Sequence, residues 1–214
     1  MKSLARGILG TLAVALTLAV ALSPLSACTD TEALPRDQVR KLQSDSGVGS
    51  GVVLRPGLVL TAGHVAEVKG LRTQPKGAQG VLLAAVKDPV DLGLLHFPAR
   101  DAACPCVTFA QYDAQLDEPV YVIGYPRGLA RVVTLGTAQG VLNVAGPFGM
   151  FGSHLQVGQR LVITASAAPG NSGGGVFVLR DGEYQLVGVL VEVFGDLALA
   201  IPLGPINKFL GEHT

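Results

Sequence analysis

The 214-residue chain has no tryptophan and only three cysteines, and aromatic residues make up 5% of it. Three cysteines cannot build a disulfide framework. With 49% hydrophobic residues none is needed, because a buried core is possible without metals or several crosslinks. Charge of either sign is also sparse. There are 16 basic and 16 acidic residues, so the formal net charge is zero. That balance removes the electrostatic reason to expect nucleic-acid binding. Cys104-Pro105-Cys106 has no second ligand pair at suitable spacing, so zinc is not expected. No metal and no cofactor is expected elsewhere. Beyond the first 27 residues no long segment keeps a 3.6-residue apolar period, which argues against a helical bundle.

Glycine, by contrast, is abundant, with 28 residues. From Gly47 onward short apolar runs alternate with Gly, Pro and Asp. They include Gly51-Val-Val-Leu54, Leu58-Val-Leu60, Val81 to Val86, Leu92 to Phe97, Pro119 to Ile123, Leu161-Val-Ile-Thr164, Val176 to Leu179 and Leu186 to Val193. Runs of β-favouring residues at this spacing predict a sandwich or barrel. One short helix is expected at Pro205 to Leu210. The polar segment Asp101 to Glu118 separates an early set of strands from a later set and reads as a linker between two lobes.

The first 27 residues read as a targeting segment. Lys2 and Arg6 form a basic start, and Ile8 to Leu22 an apolar run of signal-peptide length, short for a spanning helix. Leu25-Ser26-Ala27-Cys28 resembles a bacterial lipobox, in which the cysteine is lipidated after cleavage. An ordinary signal peptide cut near Ala27 and a retained membrane anchor are the alternatives. Lipidation at Cys28 would attach the chain to a membrane of a bacterial cell envelope, facing the periplasm or the exterior. Residues 28–46 are polar and read as a flexible tether.

Three segments carry chemistry: Leu60-Thr-Ala-Gly-His64-Val65, Asp91-Leu-Gly-Leu-Leu95 and Pro169-Gly-Asn-Ser172-Gly-Gly174. Acyl transfer to water needs a hydroxyl beside a base, a carboxylate to orient that base, and N–H donors aimed at the developing oxyanion. A serine flanked by glycines suits the last need, because the backbone can turn sharply there. Alone, each segment passes for something plainer, a hairpin turn in the case of Gly-Asn-Ser-Gly-Gly. Together they stand in the order His, Asp, Ser.

These blocks resemble the trypsin-like, chymotrypsin-fold serine peptidases, most closely the HtrA/Deg protease domain. Gly47-Val-Gly-Ser-Gly-Val-Val53, Val122-Ile-Gly-Tyr-Pro126 and Leu197-Ala-Leu-Ala-Ile-Pro202 agree with it, and the resemblance spans about Gly47 to Phe209. It implies an all-β fold of two six-stranded antiparallel β-barrels with a short C-terminal helix. The first barrel would occupy about residues 47–110 and the second about 117–204, within a protease domain of residues 47–214. It implies a serine endopeptidase acting on polypeptides, exported or misfolded ones at the envelope. His64 would be the base, Asp91 its orienting carboxylate and Ser172 the nucleophile, with Gly170, Asn171 and Ser172 forming the oxyanion-hole loop. The specificity pocket would draw on Ser166, Ala167, Leu190 and Glu192, which implies small or medium aliphatic residues on the acyl side of the cleaved bond. The chain stops soon after the expected helix, so a PDZ domain is not expected. Asp88 is the rival carboxylate, and His96, His154 and His213 fall outside the matching blocks. Cys104 and Cys106 are expected to form a local disulfide or to be free thiols. The loop Ala145 to His154 reads either as a surface loop or as a mobile loop ordering the oxyanion hole. A binding lipoprotein on the same fold, without activity, is the alternative function.

Overall fold

A computed structural model describes residues 34–74, 77–98, 106–144 and 158–214. The expected leader of residues 1–27, Cys28, Cys104 and the loop from Ala145 to His154 lie outside the described residues.

The first half contributes β1 (Val39–Gln43), β2 (Val48–Arg55), β3 (Leu58–Ala62), the single helical turn α1 (Gly63–Ala66), β4 (Arg72–Gln74), β5 (Val81–Val86) and β6 (Leu92–His96). The six strands form one antiparallel sheet in the order β4-β1-β2-β3-β6-β5. The second half contributes β7 (Thr108–Phe109), β8 (Pro119–Gly124), β9 (Val132–Val144), β10 (Gly158–Ile163), β11 (Gly175–Arg180), β12 (Glu183–Phe194), β13 (Leu197–Pro202) and the helix α2 (Leu203–His213). Here the order is β11-β8-β9-β10-β13-β12, and β12 pairs back onto β11. That pairing closes a six-stranded antiparallel barrel, to which β7 adds as a parallel neighbour of β12.

The all-β fold is therefore as expected, with one refinement. The second sheet closes and the first is a half-barrel. Among the described residues its edge strands β4 and β5 do not pair with each other; besides its pairing with β1, β4 is met by a single bridge from Arg72 to Gln79. The reason lies in the edges. β4 is three residues long with no buried position, and the first half of β5, Val81, Leu82 and Leu83, is exposed, so only Ala84 to Val86 at its far end pack against the core.

The strands form where apolar runs meet turn residues. β3, Leu58-Val-Leu-Thr-Ala62, is buried at every position, as a strand covered on both faces must be. β11 and β12 are joined by Asp181-Gly182, both at positive φ, the dipeptide that a two-residue hairpin favours. The first sheet's core (Leu42, Leu60, Leu92, Leu94) continues into Val189 and Ile201 of the second sheet. α2 seals this junction with Leu203, Ile206 and Phe209, spaced three apart on one face. It is longer than the expected Pro205 to Leu210. Asp113 accepts a hydrogen bond from the Leu203 N–H at 2.8 Å, which lets the helix start earlier than Pro205 suggested.

The expected tether is corrected. Residues 28–33 lie outside the described residues, but β1 falls inside the rest of the segment and is part of the fold. Val39 and Leu42 are fully buried, and β1 pairs with both β2 and β4. Polar composition hid it: Arg40, Lys41 and Gln43 supply most of the strand, while only two side chains face the core.

A half-buried ion pair braces the linker to the closed barrel. Arg180 donates from Nε and Nη2 to the two oxygens of Glu118, at 2.8 and 2.7 Å, and also to the carbonyls of Tyr112 and Asp113. The Arg180 hydrogen bonds hold the Glu118 carboxyl below the ordinary glutamate value of about 4.5, against the opposing effect of burial. A carboxyl lowered in the folded state stabilises above its unfolded pKa, and that contribution is lost as pH falls through the folded value. Glu118→Gln is expected to lower stability by about 1–2 kcal/mol at pH 7. The difference from wild type should shrink below pH 4 in urea titrations; a pH-independent difference would rule out this origin.

Candidate active site

β3 delivers the chain into α1, whose second residue is His64. The loop before β6 delivers Asp91. Asp91 is only 2% exposed and holds φ at 51°, a left-handed conformation that costs a non-glycine residue about 1 kcal/mol or more. Its carboxylate accepts twice from the same residue. The His64 backbone N–H donates to Oδ1 at 2.9 Å, and the ring Nδ1 lies 2.7 Å from Oδ2. Nδ1 carries the proton in that pair, which leaves Nε2 as the basic nitrogen. The imidazole is partly exposed, with 43% of its side-chain surface accessible.

Ser172 comes from the second sheet, on the turn entering β11. It and His64 line the same cavity of about 220 Å³, together with Gly49, Val65, Pro169 and Gly170. The structure thus brings together the three side chains singled out in the sequence, from two sheets and three separate segments. Asp88 is exposed, and the carboxylate that pairs with His64 is that of Asp91; Asp88 precedes a cis peptide to Pro89. His96 ends β6 exposed, and His213 packs its ring on Phe209 at the end of α2.

The serine loop is shaped by its glycines. Gly170 has φ of 98°, and a Cβ there would sit 2.5 Å from the Tyr125 carbonyl oxygen and 2.9 Å from the Arg127 nitrogen. Gly173, at φ 83°, presses on the Ser50 carbonyl and the Thr61 hydroxyl, leaving no room for a side chain. Asn171 is buried at 4%, its N–H bonded to the Ala168 carbonyl. Its Oδ1 meets no donor among the described residues. Gly173 and Gly174 fasten the loop to β12, through Gly173 N–H to the Leu190 carbonyl at 2.6 Å and Leu190 N–H to the Gly174 carbonyl at 2.8 Å. Among the described residues the N–H groups of Gly170 and Ser172 donate to no protein acceptor, which leaves them available to a ligand.

None of the four pocket candidates lines that cavity. Leu190 is a core residue at 1% exposure, Ala167 is half-buried against the second core, Ser166 is exposed and Glu192 is half-buried. Glu192 acts electrostatically on Arg160, a fully buried arginine of β10 that donates to the Pro89 carbonyl at 3.2 Å. Burial pushes the Arg160 guanidinium down from its ordinary value, and Glu192, Asp91 and Asp88 oppose that. Cys106 is disulfide-bonded, which removes the free-thiol alternative for it; its partner lies outside the described residues.

Sequence reading missed Ser50, which holds the site together. This fully buried residue of β2 donates its N–H to the Ser172 carbonyl and its hydroxyl to the Gly170 carbonyl, both at 2.8 Å. The hydroxyl also accepts from the Tyr125 N–H at 3.0 Å, and the Ser50 carbonyl accepts from Thr61 Oγ1 at 2.6 Å. The only signal was its place inside Gly47-Val-Gly-Ser-Gly, a segment that otherwise reads as an ordinary strand start.

A buried carboxylate paired with an imidazole, on a cavity shared with a glycine-shaped serine loop between a half-barrel and a closed barrel, is the arrangement of a serine peptidase of the trypsin-like class. Residues 49–189 match the trypsin-like peptidase domain family, and the chain belongs to it as a serine-type endopeptidase. Similar solved structures include an inactive-form serine-to-alanine variant of Rv3671c from M. tuberculosis H37Rv, with TM-score 0.70, 23% identity, and 84% of this chain and 87% of that chain covered. The active form of the Rv3671c protease gives TM-score 0.68, 22% identity and coverage of 84% and 82%. The HtrA-type protease AlgW, in complex with a tripeptide, gives TM-score 0.66, 21% identity and coverage of 83% of this chain but 60% of that one. No curated protein sequence matches significantly.

Removing the Ser50 hydroxyl leaves a buried carbonyl and a buried N–H unpaired without changing side-chain shape much. Ser50→Ala is expected to cost about 1–3 kcal/mol in urea unfolding. A loss below about 0.5 kcal/mol would mean that the hydroxyl does not brace the loop.

Proposed function

We propose that the chain hydrolyses peptide bonds through an acyl-enzyme with Ser172 as nucleophile, His64 as general base and Asp91 as orienting carboxylate. The observation that carries this reading is the pairing of His64 with Asp91 through both ring and backbone, on a cavity that Ser172 also lines. Nε2 of His64 takes the Ser172 proton as Oγ attacks the substrate carbonyl, and returns it to the leaving amine. The Gly170 and Ser172 N–H groups receive the oxyanion. Water then attacks the acyl carbonyl, with His64 acting again as base and restoring free Ser172. Asp91 fixes the tautomer that leaves Nε2 free and stabilises the imidazolium once it forms. Nothing in the site favours the alternative of a binding protein without activity, for which a doubly bonded His64–Asp91 pair and open N–H donors have no use.

Ser172→Ala should abolish labelling by a fluorophosphonate probe and leave the thermal unfolding midpoint within a few degrees of wild type. Asp91→Asn should lower kcat by about 10⁴-fold, because the amide favours the wrong imidazole tautomer. Folded wild-type protein that never reacts with the probe would sink the reading.

We further propose that the enzyme works on exported or misfolded polypeptides at a bacterial cell envelope, held there by lipid on Cys28. Leu25-Ser-Ala-Cys28 after an apolar run supports this. Cells fed an alkynyl fatty acid should yield labelled wild-type protein and unlabelled Cys28→Ser; equal labelling of the two would exclude the anchor.

A further inference from the structure

The direction of the Gly170 N–H is set by a residue outside the serine loop. The Pro169 carbonyl and the Gly170 N–H belong to one peptide plane and point in opposite directions. The Arg127 backbone N–H donates to that carbonyl at 2.6 Å, so it also aims the Gly170 N–H away from Arg127. Arg127 does this from φ of 52°, a left-handed conformation that its surroundings must impose.

Those surroundings come from the other sheet. Lys41 of β1 extends its Nζ to the Gly128 carbonyl at 2.6 Å, next to Arg127. A lysine on a short strand would ordinarily reach for water or a carboxylate; Lys41 pairs with no carboxylate among the described residues. Nearby, Arg131 spans from the Tyr125 hydroxyl at 3.0 Å to Asp37 at 2.8 Å. Residues 37–41 therefore grip both ends of the turn that carries Arg127.

We infer that Lys41 is a positioning residue for the oxyanion donor of Gly170, acting through Gly128, Arg127 and Pro169. This rests on the reading of Ser172 as nucleophile. The lysine never touches substrate. Its loss lets the Tyr125–Leu129 turn relax and frees the 169–170 peptide to rotate, which turns the Gly170 N–H out of the cavity. Transition-state stabilisation falls while ground-state binding at the cavity persists.

The test uses the full chain purified in detergent, as wild type, Lys41→Met, Lys41→Arg and Asp37→Asn. The readouts are the rate of Ser172 phosphonylation by a fluorophosphonate, located by peptide mass, kcat and KM on a peptide ester, and the unfolding midpoint. Lys41→Met should lose about tenfold in phosphonylation rate and kcat, with KM within about twofold and the midpoint little changed. Lys41→Arg, which can still donate to the Gly128 carbonyl, should recover most of the rate. Asp37→Asn, altering a side chain that is 76% exposed, should lose about twofold in the same two quantities. Wild-type rates in Lys41→Met overturn the inference, as does a loss shared equally by Lys41→Arg or one that tracks the midpoint. Should Lys41→Met not fold, a wild-type rate in Asp37→Asn overturns it. Wild type that is never phosphonylated at Ser172 overturns the nucleophile reading itself, a distinct outcome.

Discussion

The site depends on the hydrogen bond from the Ser50 N–H to the Ser172 carbonyl, which ties the serine loop of one sheet to a strand of the other. The histidine and the serine sit on different sheets, and their separation has to hold to a fraction of an ångström for proton transfer. Ser50 sets it from one residue. Its N–H and hydroxyl hold the loop on either side of Asn171, and its carbonyl accepts from Thr61, three residues before His64. Each of these groups is buried, so breaking any one leaves a polar atom without water to replace the lost partner.

Around that bond, backbone strain is placed selectively. Asp117 and Asp181 take positive φ at exposed positions beside chain reversals, where an aspartate tolerates it well. Asp91 and Arg127 take it beside the site, and both donate backbone hydrogen bonds there: Asp91 N–H to the Lys87 carbonyl at 2.7 Å, and Arg127 N–H to the Pro169 carbonyl at 2.6 Å. The strain at Asp91 buries a carboxylate where it can accept from the ring and the backbone of His64 together. That double acceptance fixes the imidazole in position and rotation, where one bond would leave it free to swing.

His64, Asp91 and Ser172 were legible in the sequence because each sits in a short run whose neighbours also serve the chemistry: Gly63 before the histidine, an apolar strand after the aspartate, glycines around the serine. Most of the strands after Gly47 were legible because apolar runs and turn residues alternate there. What escaped is whatever depends on a distant partner. β1 was taken for a tether because three of its five residues are polar. Its membership of the sheet shows only once Val39 faces Val52 and Leu42 faces Gly49 across the ladder. Ser50, Lys41 and Arg127 act on the site through backbone carbonyls and N–H groups, which every residue has and no composition reveals. The half-barrel likewise depends on what lies beside β4 and β5, which their own sequences do not state.

Arg160 poses a choice between two physical explanations. A buried cation near Asp91 could serve to balance the carboxylate's charge, or it could brace the loop that presents it. The hydrogen bonds of Arg160 favour bracing. Burial is the largest influence on its charge and works against it, and among the acids Glu192 offsets burial more than Asp91 does. Asp91 already has two donors of its own in His64. Arg160 donates to the Pro89 carbonyl, two residues before Asp91, and also to the carbonyl of its neighbour Gln159. A planar guanidinium that spans from β10 to the Pro89 loop joins the second sheet to the aspartate's loop, as Ser50 joins the first sheet to the serine's. The two sheets are thus crossed at the site in both directions, each holding the functional loop of the other.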